Sequence, residues 1–334
     1  MEECRDVTAG EAAKLLAESD HILILTHMKP DGDTLGSGFA MFYALQMLGK
    51  TVRIENSDGF PARYSFLFEG FDPESQPQFP PEFILAVDIA DTQLLGEKTE
   101  SYKDRIDLCI DHHPSNSRYA RRLLLDPRAC ATVQRVYDVI GALGVAPDKR
   151  IATCIYTGLS TDTGCFRYSN TTAGAHLLAA KMIEAGADHY RIDKLMFETK
   201  SVARMELERM VMDTLEYYYG NKFAVIVISQ DAVERTGVPE EDLEGISSVP
   251  RQIEGVEASA TLRQKGPEKY RVSMRSGEKI NSSKVCGRLG GGGHARAAGC
   301  MLEGDLESVK KQLVEAIRED IEPLCKGRGS ACRS

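Results

Sequence analysis

The chain is predicted to be an α/β protein, a largely parallel sheet flanked by helices and joined through a helical linker to a smaller α/β domain. Three features predict it. Apolar runs of strand length recur in the first half and end in Asp or His, segments with helical spacing fall between and after them, and the whole pattern restarts beyond Gly220. Strands alternating with helices imply parallel pairing, because each crossover must return the chain to the same edge of the sheet. A chain of 334 residues is also long for one core, so two domains are expected. The limits read as 1–188 for a metal-binding domain, 189–219 for a helical linker, 220–325 for the second domain and 326–334 for a loose tail.

His21-Ile22-Leu23-Ile24-Leu25-Thr26 is the first strand, followed by a loop with Pro30 and Gly32. Thr34 to Leu48 carries apolar residues at helical spacing and closes on Gly49. Thr51 to Glu55 is a short strand, and Asn56 to Pro81, rich in Pro, Gly, Phe and Glu, is an irregular excursion. The runs Phe83 to Val87 and Ile106 to Ile110 are further strands; Thr132 to Leu143, Asp148 to Ser160 and Thr172 to Ala185 are helices. The charged stretch from Lys200 to Arg209, free of Gly and Pro, reads as a connecting helix, with an exposed face that suits a homodimer. Strands follow at Lys222 to Ile228, Val256 to Arg263 and Tyr270 to Met274, then helices at Ser282 to Leu289 and Asp305 to Arg318.

With 42% hydrophobic and 27% charged residues, the composition excludes a disordered or fibrous class. No apolar window is long enough for a membrane span. The opening Met1-Glu2-Glu3-Cys4-Arg5-Asp6 lacks the apolar stretch of a signal peptide. Nine scattered cysteines without a Cys-x-x-Cys pair suit reduced thiols, so a cytoplasmic protein is expected. A net charge of −9 argues against long duplex nucleic acid, whose binding draws on a basic face. It leaves room for a small anion, since a bound cation can reverse the local field.

The chemistry gathers at strand ends. The first strand delivers His27, Asp31 and Asp33, the third stops at Asp88, and the fourth ends in Asp111-His112-His113. Ligands of an open α/β sheet collect outside the carboxyl ends of its strands. The competing structural reading makes Asp33 the N-cap of the helix from Thr34 and Asp31-Gly32 a plain turn. Joined to Asp88 and the Asp-His-His run, it would leave acids crowded without counter-charge. Asp162, in Ser160-Thr161-Asp162-Thr163-Gly164, is a weaker companion. Carboxylate and imidazole without thiolate suit Mn²⁺, Mg²⁺ or a related ion, and a pair of ions would need a bridge, for which Asp88 is best placed. Gly290 to Gly293 lack the Lys of a phosphate-binding loop and follow a helix; they read as a backbone-amide cradle with His294, or as a helix end and linker.

These residues resemble a known family. The segments from Thr26 to Asp33, around Asp88, from Asp111 to Pro114 and from Ser160 to Gly164 are similar to the four ordered motifs of the DHH phosphoesterase superfamily. Arg275, in Val272-Ser273-Met274-Arg275-Ser276, and Gly291-Gly292-Gly293-His294 resemble the DHHA1 domain, so the likeness covers nearly the whole chain. Size and domain order are most similar to the NrnA-like branch of oligoribonucleases and 3′-phosphoadenosine 5′-phosphate phosphatases. The resemblance implies two divalent cations, Mn²⁺ first and Mg²⁺ or Co²⁺ as substitutes. His27, Asp31 and Asp88 would hold one; Asp33, Asp88, His112 and Asp162 the other. His113 would meet the scissile phosphate or its leaving oxygen, while Arg275, Gly291, Gly292, Gly293 and His294 grip a substrate phosphate across an interdomain cleft. One departure is local: Cys130-Ala131-Thr132-Val133 stands where the family often carries a Ser/Thr-rich stretch.

The implied activity is hydrolysis of very short RNA, dinucleotides above all, to mononucleotides by water activated between two metals, with removal of the 3′-phosphate of 3′-phosphoadenosine 5′-phosphate as a second reaction. The implied partners are short single-stranded RNA or nucleotides, with neither long duplex nor membrane. Cleavage of cyclic or linear dinucleotides is the enzymatic alternative, and a catalytically silent, metal-dependent nucleotide-binding protein is the alternative from another class.

Overall fold

The computed structural model describes residues 4–243 and 245–325 and separates into two units between Thr199 and Lys200. The expected loose tail, 326–334, lies outside the described residues.

In the first unit, the strands are β1 (Arg5–Asp6), β2 (Ile22–Thr26), β3 (Val52–Asn56), β4 (Phe83–Val87), β5 (Leu108–Asp111) and β6 (Arg122–Leu125). They pair in the order β1-β6-β5-β4-β2-β3, and every pair is parallel. β2 and β4 are buried at every position, as strands covered on both faces must be. Ile22, Ile24, Leu85, Val87, Leu108 and Ile110 face a core built with α1 (Ala9–Glu18), α2 (Gly32–Met47), α3 (Thr132–Ala142), α4 (Lys149–Asp162) and α5 (Ala173–Glu184). Leu23, Leu25, Ile84, Ala86 and Cys109 face the other way, against Leu95, Ile106 and Ala120 from loops and a 3₁₀ turn. A short α6 (His189–Asp193) closes the unit.

The strand order decides where a ligand can go. The chain leaves β2 through α2 to β3 on one side, then crosses back to β4 on the other. The carboxyl ends of β2 and β4 therefore flank the topological switch point, where the loops diverge and leave a crevice.

α2 starts two residues before the predicted Thr34. Asp31, not Asp33, is its N-cap: the Asp31 carboxylate accepts from the amides of Asp33 (3.0 Å) and Thr34 (3.1 Å). Asp33 is thereby placed inside the first turn, buried, facing neighbouring elements. α2 also approaches α4 more closely than side chains would allow. A Cβ on Gly36 would lie 2.4 Å from the carbonyl oxygen of Cys154, and one on Gly32 2.4 Å from the Thr161 hydroxyl. Gly36→Ala is accordingly expected to destabilise the first unit by about 1–3 kcal/mol, since helix backbone cannot give way. Gly10→Ala in α1, where nothing lies within 4 Å, should be neutral or stabilising by up to about 1 kcal/mol. Thermal midpoints of the two variants moving in the same direction would contradict this account.

The second unit contains α7 (Val202–Met212), β7 (Glu216–Tyr218), β8 (Phe223–Ile228), α8 (Gln230–Thr236), β9 (Ala258–Gly266), β10 (Lys269–Ser276), α9 (Ser282–Arg288), β11 (Gly292–Gly293), β12 (Ala297–Glu303) and α10 (Leu306–Cys325). Its sheet runs β11-β12-β10-β9-β8-β7; β8 and β9 are parallel and the other pairs antiparallel. Val225, Ala260, Leu262, Val272 and Met274 pack with α9 and α10, while Ile226 and Ile228 pack with α7 and α8.

The periodic segments appear where expected, within a few residues. α1, β6, α8 and β12, with the short β1, α6, β7 and β11, are not among the elements expected from the sequence pattern. β12, Ala-Ala-Gly-Cys-Met-Leu-Glu, has no β-branched residue, and pairing with β10 over seven positions makes it a strand.

Candidate metal centre

His27 follows β2 directly. Its Nδ1 donates to the Met28 carbonyl oxygen at 2.9 Å, which turns Nε2 toward the crevice. That Nε2 is 3.7 Å from Asp31 and 3.6 Å from Asp88 Oδ2. His112, after β5, repeats the device: Nδ1 is 3.1 Å from the Ala129 carbonyl oxygen. Its Nε2 is 3.6 Å from Asp162, 3.8 Å from Asp88 Oδ1 and 4.0 Å from Asp33. The two rings thus present one nitrogen each to a shared set of carboxylates.

Asp88 ends β4 in the left-handed region, φ 60°, with its amide still bonded to the Ile110 carbonyl. An acidic residue tolerates that conformation better than most, and it turns the carboxylate into the crevice. Asp162 is the last residue of α4, two residues beyond the predicted helix end. Potential ligand atoms of His27, Asp31 and Asp88, and of Asp33, His112 and Asp162, lie within 4.8 Å of one another in each group.

Asp111 does not join either group. Fully buried, it accepts from the amides of His112 (2.8 Å) and His113 (3.2 Å), from Asn116 (2.6 Å), and pairs with His113 Nδ1 at 2.8 Å. His113 Nδ1 also approaches Asp88 Oδ1, at 3.6 Å, so Asp88, His112 and His113 form a third grouping. The nitrogen concerned is already committed to Asp111, however, which suits His113 to a task at Nε2 rather than to ligation.

Charge in this crevice is unbalanced. Among the described residues no Lys or Arg pairs with Asp31, Asp33, Asp88 or Asp162. Burial, then repulsion from Asp88, Asp162 and Asp31, holds the Asp33 carboxyl well above the usual range. Burial also pushes Asp162 up to about 7. Burial opposes a charge on His27, but Asp31 and Asp88 outweigh it and push the ring up to about 11. His113 is pushed up to about 9, chiefly by its bond to Asp111. Desolvated, mutually repelling carboxylates with imidazoles oriented from behind are the donor set for a divalent cation.

In the second unit, Arg275 of β10 pairs across the sheet with Ala297, next to the tight turn in which His294 and Ala297 exchange backbone bonds. Gly292 and Gly293 form β11 against Gly299 and Ala298. The amides of Gly290, Gly291 and His294 already donate to Gly287, Cys286 and Ala297, and Gly292 is paired with Gly299 in the β11–β12 ladder, so the glycine run is not the row of open amides expected of a cradle. Gly291 is required by packing: a Cβ there would lie 2.1 Å from the Gly299 carbonyl oxygen. Burial, then Arg251 and Arg271, lowers the Arg275 pKa. Among the described residues none of these three arginines forms an ion pair, so this part of the unit favours an anion.

Comparison with known proteins agrees with this arrangement. The model of the DHH family, N-terminal domain, matches residues 21–159, and that of the DHHA1 domain matches 211–322. A bifunctional oligoribonuclease and PAP phosphatase NrnA from Thermus thermophilus is 34% identical over 93% of this chain and 93% of its own. The chain belongs to the DHH phosphoesterase family. As a DHH protein with a DHHA1 domain it is a phosphoester hydrolase of the NrnA-like branch. The NrnA of Bacillus subtilis is 24% identical, over 95% of this chain and 98% of its own. An exopolyphosphatase-related protein from Bacteroides fragilis shares the fold, with a TM-score of 0.85 at 24% identity over 95% of this chain and 97% of that one.

Sequence reasoning missed two contributors to the DHH site. The Thr132 hydroxyl donates to Asp88 Oδ1 at 2.7 Å, and the Asn170 amide donates to the carbonyls of Cys130 and Asp162, both at 3.1 Å. Thr132 begins a helix and Asn170 sits in a polar turn, so neither differs in the sequence from ordinary capping or turn residues.

Proposed function

We propose that this DHH-family chain hydrolyses very short RNA, dinucleotides above all, to mononucleotides, and also removes the 3′-phosphate of 3′-phosphoadenosine 5′-phosphate. The observation that carries the reading is Asp88 standing between two His/Asp groups with one oxygen toward each. The oligoribonuclease and PAP phosphatase activities for which the NrnA relatives are named, one of them 34% identical, supply the substrate class.

In this reading His27, Asp31 and Asp88 hold one divalent cation and Asp33, Asp88, His112 and Asp162 a second, Mn²⁺ being preferred over Mg²⁺ or Co²⁺. When bound, such a pair makes water nucleophilic near neutral pH and offsets charge on the phosphate. Asp111 keeps His113 protonated and oriented, and His113 Nε2 gives its proton to the leaving oxygen. Arg275, with Gly292, Gly293 and His294, binds a substrate phosphate, Gly291 shaping the turn. Among the described residues Cys4, Cys109, Cys130, Cys154, Cys165, Cys286 and Cys300 are free thiols, which supports the cytoplasm as its compartment. No helix of the described residues is long and apolar enough to cross a membrane.

The test is Mn²⁺-dependent turnover of an RNA dinucleotide, a longer RNA, 3′-phosphoadenosine 5′-phosphate and a cyclic dinucleotide in parallel. Preferred cleavage of the dinucleotide supports the proposal; preference for the long or cyclic substrate replaces it.

Cation binding should be strongly pH-dependent. His27 is held protonated to about pH 11 and Asp162 titrates near 7 in the cation-free protein, so binding must expel protons. Affinity therefore rises with pH, by about tenfold per unit for each proton released, and falls as the solution is acidified. Calorimetric Mn²⁺ titrations in two buffers of different ionisation enthalpy measure the released protons directly. A heat that is the same in both buffers would refute the linkage.

A further inference from the structure

The two oxygens of Asp88 have different surroundings. Oδ2 is the one near His27, at 3.6 Å, whereas Oδ1 is 3.8 Å from His112, which groups with Asp33 and Asp162. α3 reaches only the second side. The Thr132 hydroxyl donates to Asp88 Oδ1 at 2.7 Å, and the amides of Thr132 and Val133 donate to the Asp33 carboxylate at 2.6 and 3.0 Å. The N-cap of α3, Ala131, has no capping side chain, so Asp33 caps the helix from another element. Asn170 adds a tie on the same side, joining the Cys130 carbonyl ahead of α3 to that of Asp162 at the end of α4. Among the described residues α3 forms no hydrogen bond with His27 or Asp31.

We infer that Thr132 is a positioning residue for one ion position alone, that of Asp33, His112 and Asp162, and leaves the position of His27 and Asp31 to α2. The inference rests on the proposal that Asp88 is shared between two cations. Thr132 is fully buried and β-branched, so its side chain has few alternatives and its hydroxyl proton no water to turn to. A carboxylate oxygen has two lone pairs; the hydroxyl occupies one on Oδ1 and leaves the other directed at the ion position. Within Cys130-Ala131-Thr132-Val133 this is the one hydroxyl, so no neighbour can substitute for it. Outer partners of this kind set how well ligands are preorganised, and their loss costs affinity rather than fold.

The test is Mn²⁺ binding to the full chain, followed by the electron paramagnetic resonance signal of free Mn²⁺. In Thr132→Val, which keeps the shape and removes the donor, one class of site should weaken by about 10–100-fold while the other stays within about threefold. Thr132→Ser should restore binding to within about threefold, because it returns the donor. In a His27→Ala background the surviving class should be the one that Thr132→Val weakens. Equal weakening of both classes, or no change in either, overturns the inference while leaving the two-cation reading intact. Failure of the unaltered chain to bind two Mn²⁺ overturns both.

Discussion

In the Asp88→Asn chain, turnover of an RNA dinucleotide is expected to fall by roughly 10³-fold or more, and bound Mn²⁺ from two ions to at most one. Asn keeps the volume of a residue that is 2% exposed and, like Asp, tolerates the left-handed backbone found at this strand end, φ 60°. The substitution therefore isolates the charge. One carboxylate oxygen faces each His/Asp group, so a neutral amide takes a ligand from both positions at once. Stabilisation worth several kcal/mol of barrier corresponds to the loss expected, at about 1.4 kcal/mol per tenfold. Elemental analysis of the dialysed protein checks the stoichiometry. Two ions retained with activity lost would mean that Asp88 is not the bridge.

His113→Gln should lower the rate by about 10²–10⁴-fold with metal content unchanged, the range for a positioned general acid. The geometry separates His113 from the ligands: its Nδ1 is bound to the buried Asp111 at 2.8 Å, whereas the Nδ1 atoms of His27 and His112 are bound to backbone carbonyls. A carboxylate behind the ring stabilises its charged form, pushing it up to about 9. The acid form of His113 is thus present below that pH and lost above it, so activity should decline on the alkaline side. In Asp111→Asn the partner charge is gone, the His113 pKa falls, and the alkaline decline should begin at lower pH. A profile unmoved by Asp111→Asn would remove His113 from the role of acid. Loss of metal in His113→Gln would make it a ligand instead.

Much of this site is legible before any coordinates. Apolar runs that stop at Asp or His announce strand ends, and strand ends of a parallel sheet gather ligands whatever the details of packing. His27, Asp31, Asp33, Asp88 and His112 come together as such reasoning expects. Asp162 is harder to read, since one Asp at a helix end before Gly looks like a turn; α4 packing tightly against α2 through Gly32 and Gly36 brings it in. The glycine run illustrates the opposite case. Its composition suggested free amides, but β-pairing with β12 and the turn at His294 already use several of them.

The sequence by itself determined the principal strands and helices and the acidic and imidazole inventory of the site, because periodicity and strand-end chemistry are local properties carried by neighbouring residues. Only the tertiary structure decided how that inventory is divided. Asp31 rather than Asp33 caps α2, Asp111 is withdrawn behind His113, and Thr132 reaches Asp88 from 44 residues away. Each is a matter of hydrogen bonds in a buried crevice, where every donor and acceptor must find a partner and the partner is fixed by packing, not by position along the chain.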